Sequence, residues 1–199
     1  MMDLNFKNSD SLSVSKFFLF FILSFFYLKL CAEELTILYS GTFDPFHRVH
    51  LQEVEGALNS FPGSNALILP IRRAPHTPKV TETGSFQPTF LDFDEILDIA
   101  KFSTAQDSRI KVDLGFETLV GINSGVGQAD ATVKITGSRK AHLIGTDILA
   151  VWEQKGFIEP ILETAEIIVS ADPTDIALYE NQKIKYATNP KIRFINVVT

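Results

Sequence analysis

The run "LTILYSGTFDPFHRVHL", residues 35–51, holds the residue types best suited to chemistry. An apolar stretch ends at Gly41, Thr42 brings a hydroxyl, and Asp44-Pro45 leads to His47 and His50, three residues apart. Gly41 lets the backbone turn sharply and approach a ligand closely. The residue before a proline is held extended, so Asp44-Pro45 stiffens the loop. The spacing then predicts a helix over 48–59, and imidazoles three apart around its start can share one face. A helix N-terminus presents unpaired N–H groups and partial positive charge, which favours phosphate. Two imidazoles there add donors, which suits stabilising negative charge on a phosphoryl group in transit. The same His-x-x-His pair also fits a plain surface or core position, or half of a metal site.

Other candidates are fewer. The sequence has four histidines, at 47, 50, 76 and 142, and a single cysteine, Cys31, so no zinc ligand set and no metal ligands are expected. In "LPIRRAPHTPK" (69–79), Arg72, Arg73, His76 and Lys79 share a proline-bounded loop. The two arginines there are anion contacts or ordinary solvated charges, and His76 equally well shapes a turn. Gly145-Thr146-Asp147 ends another apolar run, where Asp147 is a ligand contact, a helix N-cap, or both. Gly125-Val126-Gly127 lacks the third glycine of a dinucleotide fingerprint, because Asp130 stands there. No Walker A motif and no internal repeat occur.

These residues need a frame to hold them. Short apolar runs at 35–40, 65–70, 109–114, 141–145, 165–170 and 191–199 read as strands. Residues 90–102 have helical spacing at Leu91, Ile96, Leu97 and Ala100, and residues 121–140, rich in Gly and polar types, read as a long connection. Strands alternating with helices imply an α/β fold with a parallel sheet covered on both faces. Ligands of such sheets bind beyond the carboxyl ends of the strands, where strand order reverses. Gly41 to His50 follows the first strand and Gly145 to Asp147 the fourth. The two segments face each other if those strands are neighbours.

The 199 residues suit one domain with a sizeable core, at 45% hydrophobic and 21% charged. A net charge of −6 argues against a broad nucleic-acid-binding surface, so any anion site must be local. Residues 1–32 differ from the rest. Lys7 and Lys16 lead into the apolar run 17–30 and the small residue Ala32, the pattern of a signal peptide or membrane anchor. The run is shorter than the roughly 20 apolar residues of a comfortable membrane span. A misplaced start codon is the other reading. Cleavage after Ala32 would also remove Cys31, and Leu30 before it poorly matches a lipoprotein cleavage site.

The stretch "GTFDPFHRVH" is similar to the G-x-F-D-P-x-H-x-G-H signature of the nucleotidyltransferase superfamily. "LPIRRAPHTPK" resembles the strand and Pro-His-Lys loop of bacterial nicotinate mononucleotide adenylyltransferases. "HLIGTDILAVWEQKGFIEPILETAEIIVSADP" (142–173) resembles that family's Ile-Gly-Ala-Asp segment with its helix, Glu-x-Ile-Leu turn and strand. The resemblance spans roughly residues 35–199. It implies a doubly wound, Rossmann-like sheet in the order 3-2-1-4-5 plus a C-terminal strand, forming one domain over 33–199. It further implies adenylyl transfer from ATP, with Mg²⁺ on the triphosphate, to nicotinate or nicotinamide mononucleotide, releasing pyrophosphate in NAD biosynthesis. Gly41, Thr42 and Phe43 would then line the phosphate and mononucleotide site, and His47 and His50 would contact ATP phosphates. His76, with Arg72, Arg73 or Lys79, would sit by the triphosphate or close the site, Asp147 would hold a ribose hydroxyl or a nearby polar group, and Gly145 would be among the substrate-binding residues.

The sequence departs from the family pattern in several places. Val49 stands where the signature has glycine, and a β-branched side chain that overpacks a nucleotide costs about 1–3 kcal/mol. Ser40-Gly41 replaces Gly-Gly, and Thr146 replaces alanine; Trp152, displaced from the family's tryptophans, reads as a core residue or a neighbour of the pyridine. The family's Ile-Ser-Ser-Thr-x-Ile-Arg clamp has no counterpart before Thr199, so the domain reads as truncated at its C-terminus. Two alternatives remain open: a nucleotide-binding protein that has lost turnover, and an adenylyltransferase for another phosphate acceptor such as phosphopantetheine. The N-terminal pattern suggests export or anchoring, whereas ATP chemistry suggests the cytoplasm.

Overall fold

The computed structural model describes residues 34–41, 43, 45–71, 79–80, 86–87, 91–113, 129, 132–137, 139–171 and 176–196. Its elements are β1 (Leu35–Gly41), α1 (Arg48–Ser60), β2 (Asn65–Pro70), β3 (Lys79–Val80), β4 (Phe86–Gln87), α2 (Phe93–Thr104), β5 (Ile110–Val112), β6 (Arg139–Gly145), α3 (Thr146–Lys155), α4 (Ile158–Thr164), β7 (Glu166–Ser170), α5 (Ile176–Lys185) and β8 (Ile192–Ile195). Six strands form one sheet in the order β5-β2-β1-β6-β7-β8, every pairing parallel. With the antiparallel β3-β4 hairpin set aside, that is the expected order 3-2-1-4-5 with a sixth strand at the edge. The predicted neighbours do pair: Leu38 of β1 stands opposite His142 of β6.

Side chains of a strand alternate between faces, and here each face has its own core. Ile37 and Tyr39 of β1, Ala141 and Leu143 of β6 and Ile168 of β7 pack with Val54, Ala57 and Leu58 of α1 and Ile96 and Ala100 of α2. Ile144 of β6 and Ile167 and Val169 of β7 pack the other way, with Leu149 and Trp152 of α3 and Ile161 of α4. Helices therefore cover both faces. The chain order reverses between β1 and β6, so the crevice of a doubly wound sheet lies there.

Local chemistry explains several boundaries. α2 begins at Phe93, later than its periodicity predicts, because Asp92 caps it: Asp92 accepts from the Glu95 N–H and Glu95 from the Asp92 N–H, both at 2.9 Å. Leu91 thus precedes the helix, and α2 runs on to Thr104. The predicted turn at Glu159–Leu162 lies inside α4, which buries Ile158, Ile161 and Leu162. The predicted connection 121–140 includes helical residues at 132–134. The α5 helix and the β3-β4 hairpin have no sequence counterpart in the reading above.

His142 belongs to the core and not to the crevice. It is buried, its Nε2 lies 2.8 Å from Thr132 Oγ1, and its ring meets Trp152 edge-on at 5.7 Å. Nδ1 has no hydrogen-bond partner among the described residues. Burial pushes the imidazole from 6.5 down to about 4. The unfolded chain takes up a proton here at a pH where the folded chain does not, so stability is full above about pH 6.5 and falls towards pH 4. Urea unfolding should show the His142→Leu variant losing less stability than the parent between about pH 7.5 and 5, by roughly 2 kcal/mol.

Candidate active site

β1 delivers the chain to the crevice. Gly41 is its last residue, paired with Pro70, and its carbonyl accepts from the Ile71 N–H at 2.9 Å. Phe43 then adopts a φ of 36°, in the left-handed region, which a bulky side chain rarely occupies. The strain is held by packing: its buried ring lies 5.2 Å from Tyr39, 5.3 Å from Phe46 and 5.2 Å from His50. Pro45 makes a turn, and His47, in extended backbone, is the N-cap of α1.

The two imidazoles do share a face. Their rings stack with centroids 3.8 Å apart and planes 22° apart. The His47 N–H donates to His50 Nδ1 at 3.1 Å, so a neutral His50 carries its proton on Nε2. His47 is exposed and His50 half-buried. The first turn of α1 holds no acidic residue, whereas that of α2 holds Asp94 and Glu95. The positive end of α1 is thus left to the histidines and to whatever anion they meet.

On the far side, β6 ends at Gly145, which caps α3. Asp147 is therefore not the cap, as one reading of the sequence had it, but the second residue of the helix, and its carboxylate is exposed. A side chain at Gly145 would put Cβ 2.6 Å from Asp147 Oδ1, so the glycine makes room for the carboxylate. Both strand ends open on one cavity of about 620 Å³, within the roughly 300–1,000 Å³ of small-molecule sites. Gly41, Phe43, His47, His50, Gly145 and Asp147 all line it. Trp152 is both a wall of this cavity and a core residue, since it is buried. Val49 also borders it, 42% exposed.

Thr42, Arg72, Arg73 and His76 lie outside the described residues. Lys79 is in β3, opposite Gln87. Among the described residues, no three His, Cys, Asp or Glu side chains come together as a metal site would need. Sequence reasoning missed three linked residues at this end of the sheet, Tyr39, Glu53 and Ser170. Tyr39 and Ser170 donate hydroxyl hydrogens to the two carboxylate oxygens of Glu53, the latter at 2.6 Å. Burial raises the Tyr39 phenol well above its usual range, and the charges of Glu53 and Asp147 add to this. Glu53 follows His50 by three residues, the spacing of one helix face, which is the hint the sequence did contain.

No protein-family model matches this sequence, and no curated protein matches it. Solved structures share its fold. A Plasmodium falciparum nicotinic acid mononucleotide adenylyltransferase complexed with APC superposes with a TM-score of 0.52 at 13% identity, over 83% of this chain and 76% of that one. The same enzyme complexed with NaAD gives 0.56 at 11% identity, with the same coverage.

The glycine at the strand end yields a direct test. An alanine Cβ at position 41 would sit 2.8 Å from Phe43 Cε1, and that ring is already packed on three sides. Gly41→Ala should lower unfolding free energy by about 1–3 kcal/mol, measured in urea, as the Phe43 ring is forced off its partners.

Proposed function

We propose that this chain transfers the adenylyl group of ATP to the phosphate of a pyridine mononucleotide, nicotinate or nicotinamide mononucleotide, and releases pyrophosphate. The observation that carries this reading is the stacked His47–His50 pair at the positive end of α1, whose first turn holds no acidic residue, facing the Gly145–Asp147 strand end across one cavity. The signature around the pair and the shared fold of the two Plasmodium structures support it.

In this mechanism a phosphate oxygen of the mononucleotide attacks the α-phosphorus of ATP in line. The bond to the bridging oxygen breaks, and pyrophosphate leaves with the electron pair. No covalent intermediate is required, so the protein contributes positioning and charge stabilisation. His50 donates from Nε2, His47 from its exposed ring, and the N–H groups of the first turn of α1 complete the anion site. Gly41, Thr42 and Phe43 line the mononucleotide side. Arg72, Arg73, His76 and Lys79 serve the triphosphate. Gly145 leaves space at the opposite strand end, where Asp147 accepts from a ribose hydroxyl. The nucleotide would bind as its Mg²⁺ complex, the cation offsetting the charge of the triphosphate.

Val49 favours a second reading. Its half-exposed side chain borders the cavity beside the histidines, where it would crowd a nucleotide and leave a binding protein without turnover. A coupled pyrophosphate assay with both mononucleotides separates the two. Adenylyl transfer predicts ATP-dependent pyrophosphate release, cut about 10²–10³-fold in His50→Ala, as for loss of one oxyanion donor. Binding of ATP without release supports the second reading, and absence of ATP binding removes both.

A further inference from the structure

Glu53 makes the longest-range tie at the crevice, and nothing in the proposed chemistry uses it. Ser170, fully buried at the end of β7, donates to Glu53 Oε1 at 2.6 Å across 117 residues of sequence. Tyr39 of β1 donates to Oε2. β1 and β7 lie on either side of β6, so one carboxylate spans the strand whose end carries Gly145. Hydrogen bonds to an ionised group are short and strong, and two of them on one carboxylate fix its position and direction. The Ser170 hydroxyl has little alternative, since its other acceptor, the Ile144 carbonyl, is 3.3 Å away.

The carboxylate also belongs to the helix that carries the histidines. Glu53 lies three residues after His50, in the second turn of α1. The buried apolar residues of α1 are Val54, Ala57 and Leu58, with Leu51 half-buried against the same core, and such contacts do not set direction. A roll of about 10° would move a ring at the helix's outer radius of roughly 5–6 Å by about 1 Å. A misplacement of that size can cost about 10²-fold in rate.

We infer that Glu53 is a positioning residue: pinned between the Tyr39 and Ser170 hydroxyls, it fixes the roll of α1 over the strand ends and so the direction of the His47–His50 pair. The inference rests on the adenylyl-transfer reading for the reaction it serves, but the geometry it sets exists without substrate. Glutamine can replace it in part, because a carboxamide accepts from one hydroxyl and donates to the other, which rotates to suit.

The test uses the full chain and its Glu53→Ala, Glu53→Gln, Tyr39→Phe and Ser170→Ala variants, with kcat and KM for both substrates and NMR shifts of the His50 imidazole without ligand. Glu53→Ala should lower kcat about 10- to 100-fold with KM within about threefold, and should shift the His50 resonances. Glu53→Gln should recover most of kcat and the parental resonances. Tyr39→Phe and Ser170→Ala, each removing one tether, should fall between parent and Glu53→Ala, and they carry the test if Glu53→Ala does not fold. A raised KM at unchanged kcat would mean that Glu53 touches substrate instead, and unmoved His50 resonances would mean that it does not set the pair; either overturns the inference. An inactive parent would remove the adenylyl-transfer reading, while the resonances would still decide the role of Glu53.

Discussion

The stacking of the two imidazoles at the crevice depends on one hydrogen bond, from the His47 N–H to His50 Nδ1. The first N–H groups of a helix have no partner within it and must find one outside. Here the partner is an imidazole from the first turn of the helix itself. The bond fixes the ring of His50, settles which nitrogen bears hydrogen, and brings the two imidazoles face to face. Carboxylates do the equivalent job at α2, where Asp92 and Glu95 close the cap and neutralise the helix end. With no carboxylate in its first turn, α1 keeps its dipole uncompensated, which makes this strand end attractive to an anion.

Histidine shows how far environment decides role. His50 is half-buried among Tyr39, Phe43 and Phe46, with one nitrogen held by backbone. His142 sits in the other core layer, edge-on to Trp152, where burial keeps it neutral far below neutral pH. Neighbouring residues on one strand face opposite ways, so His142 and Leu143 belong to different cores. Residue type alone could not separate these histidines; their position relative to a strand end could.

The sheet was legible because its strands are short apolar runs, and the histidine pair because both residues flank one helix start. The α5 helix was not, since its buried positions include Gln182, whose amide donates to the Thr146 carbonyl, and a polar core residue hides the helical period. The α4 helix was read as a turn because its seven residues show barely one repeat of the apolar pattern. Tyr39 lies near the end of β1 and Ser170 at the end of β7, and no local pattern pairs either with Glu53. Contacts of that kind arise only when the sheet brings distant strand ends together.

The reversal of chain order between β1 and β6 has a stereochemical consequence. α1 and α3 leave those strands towards opposite faces of the sheet, so a molecule lying between Gly41 and Gly145 is flanked from two sides rather than held against one wall. A displacement at phosphorus requires entering and departing groups to lie at opposite poles. For the transfer proposed above, a gap walled in this way would offer a separate berth to each.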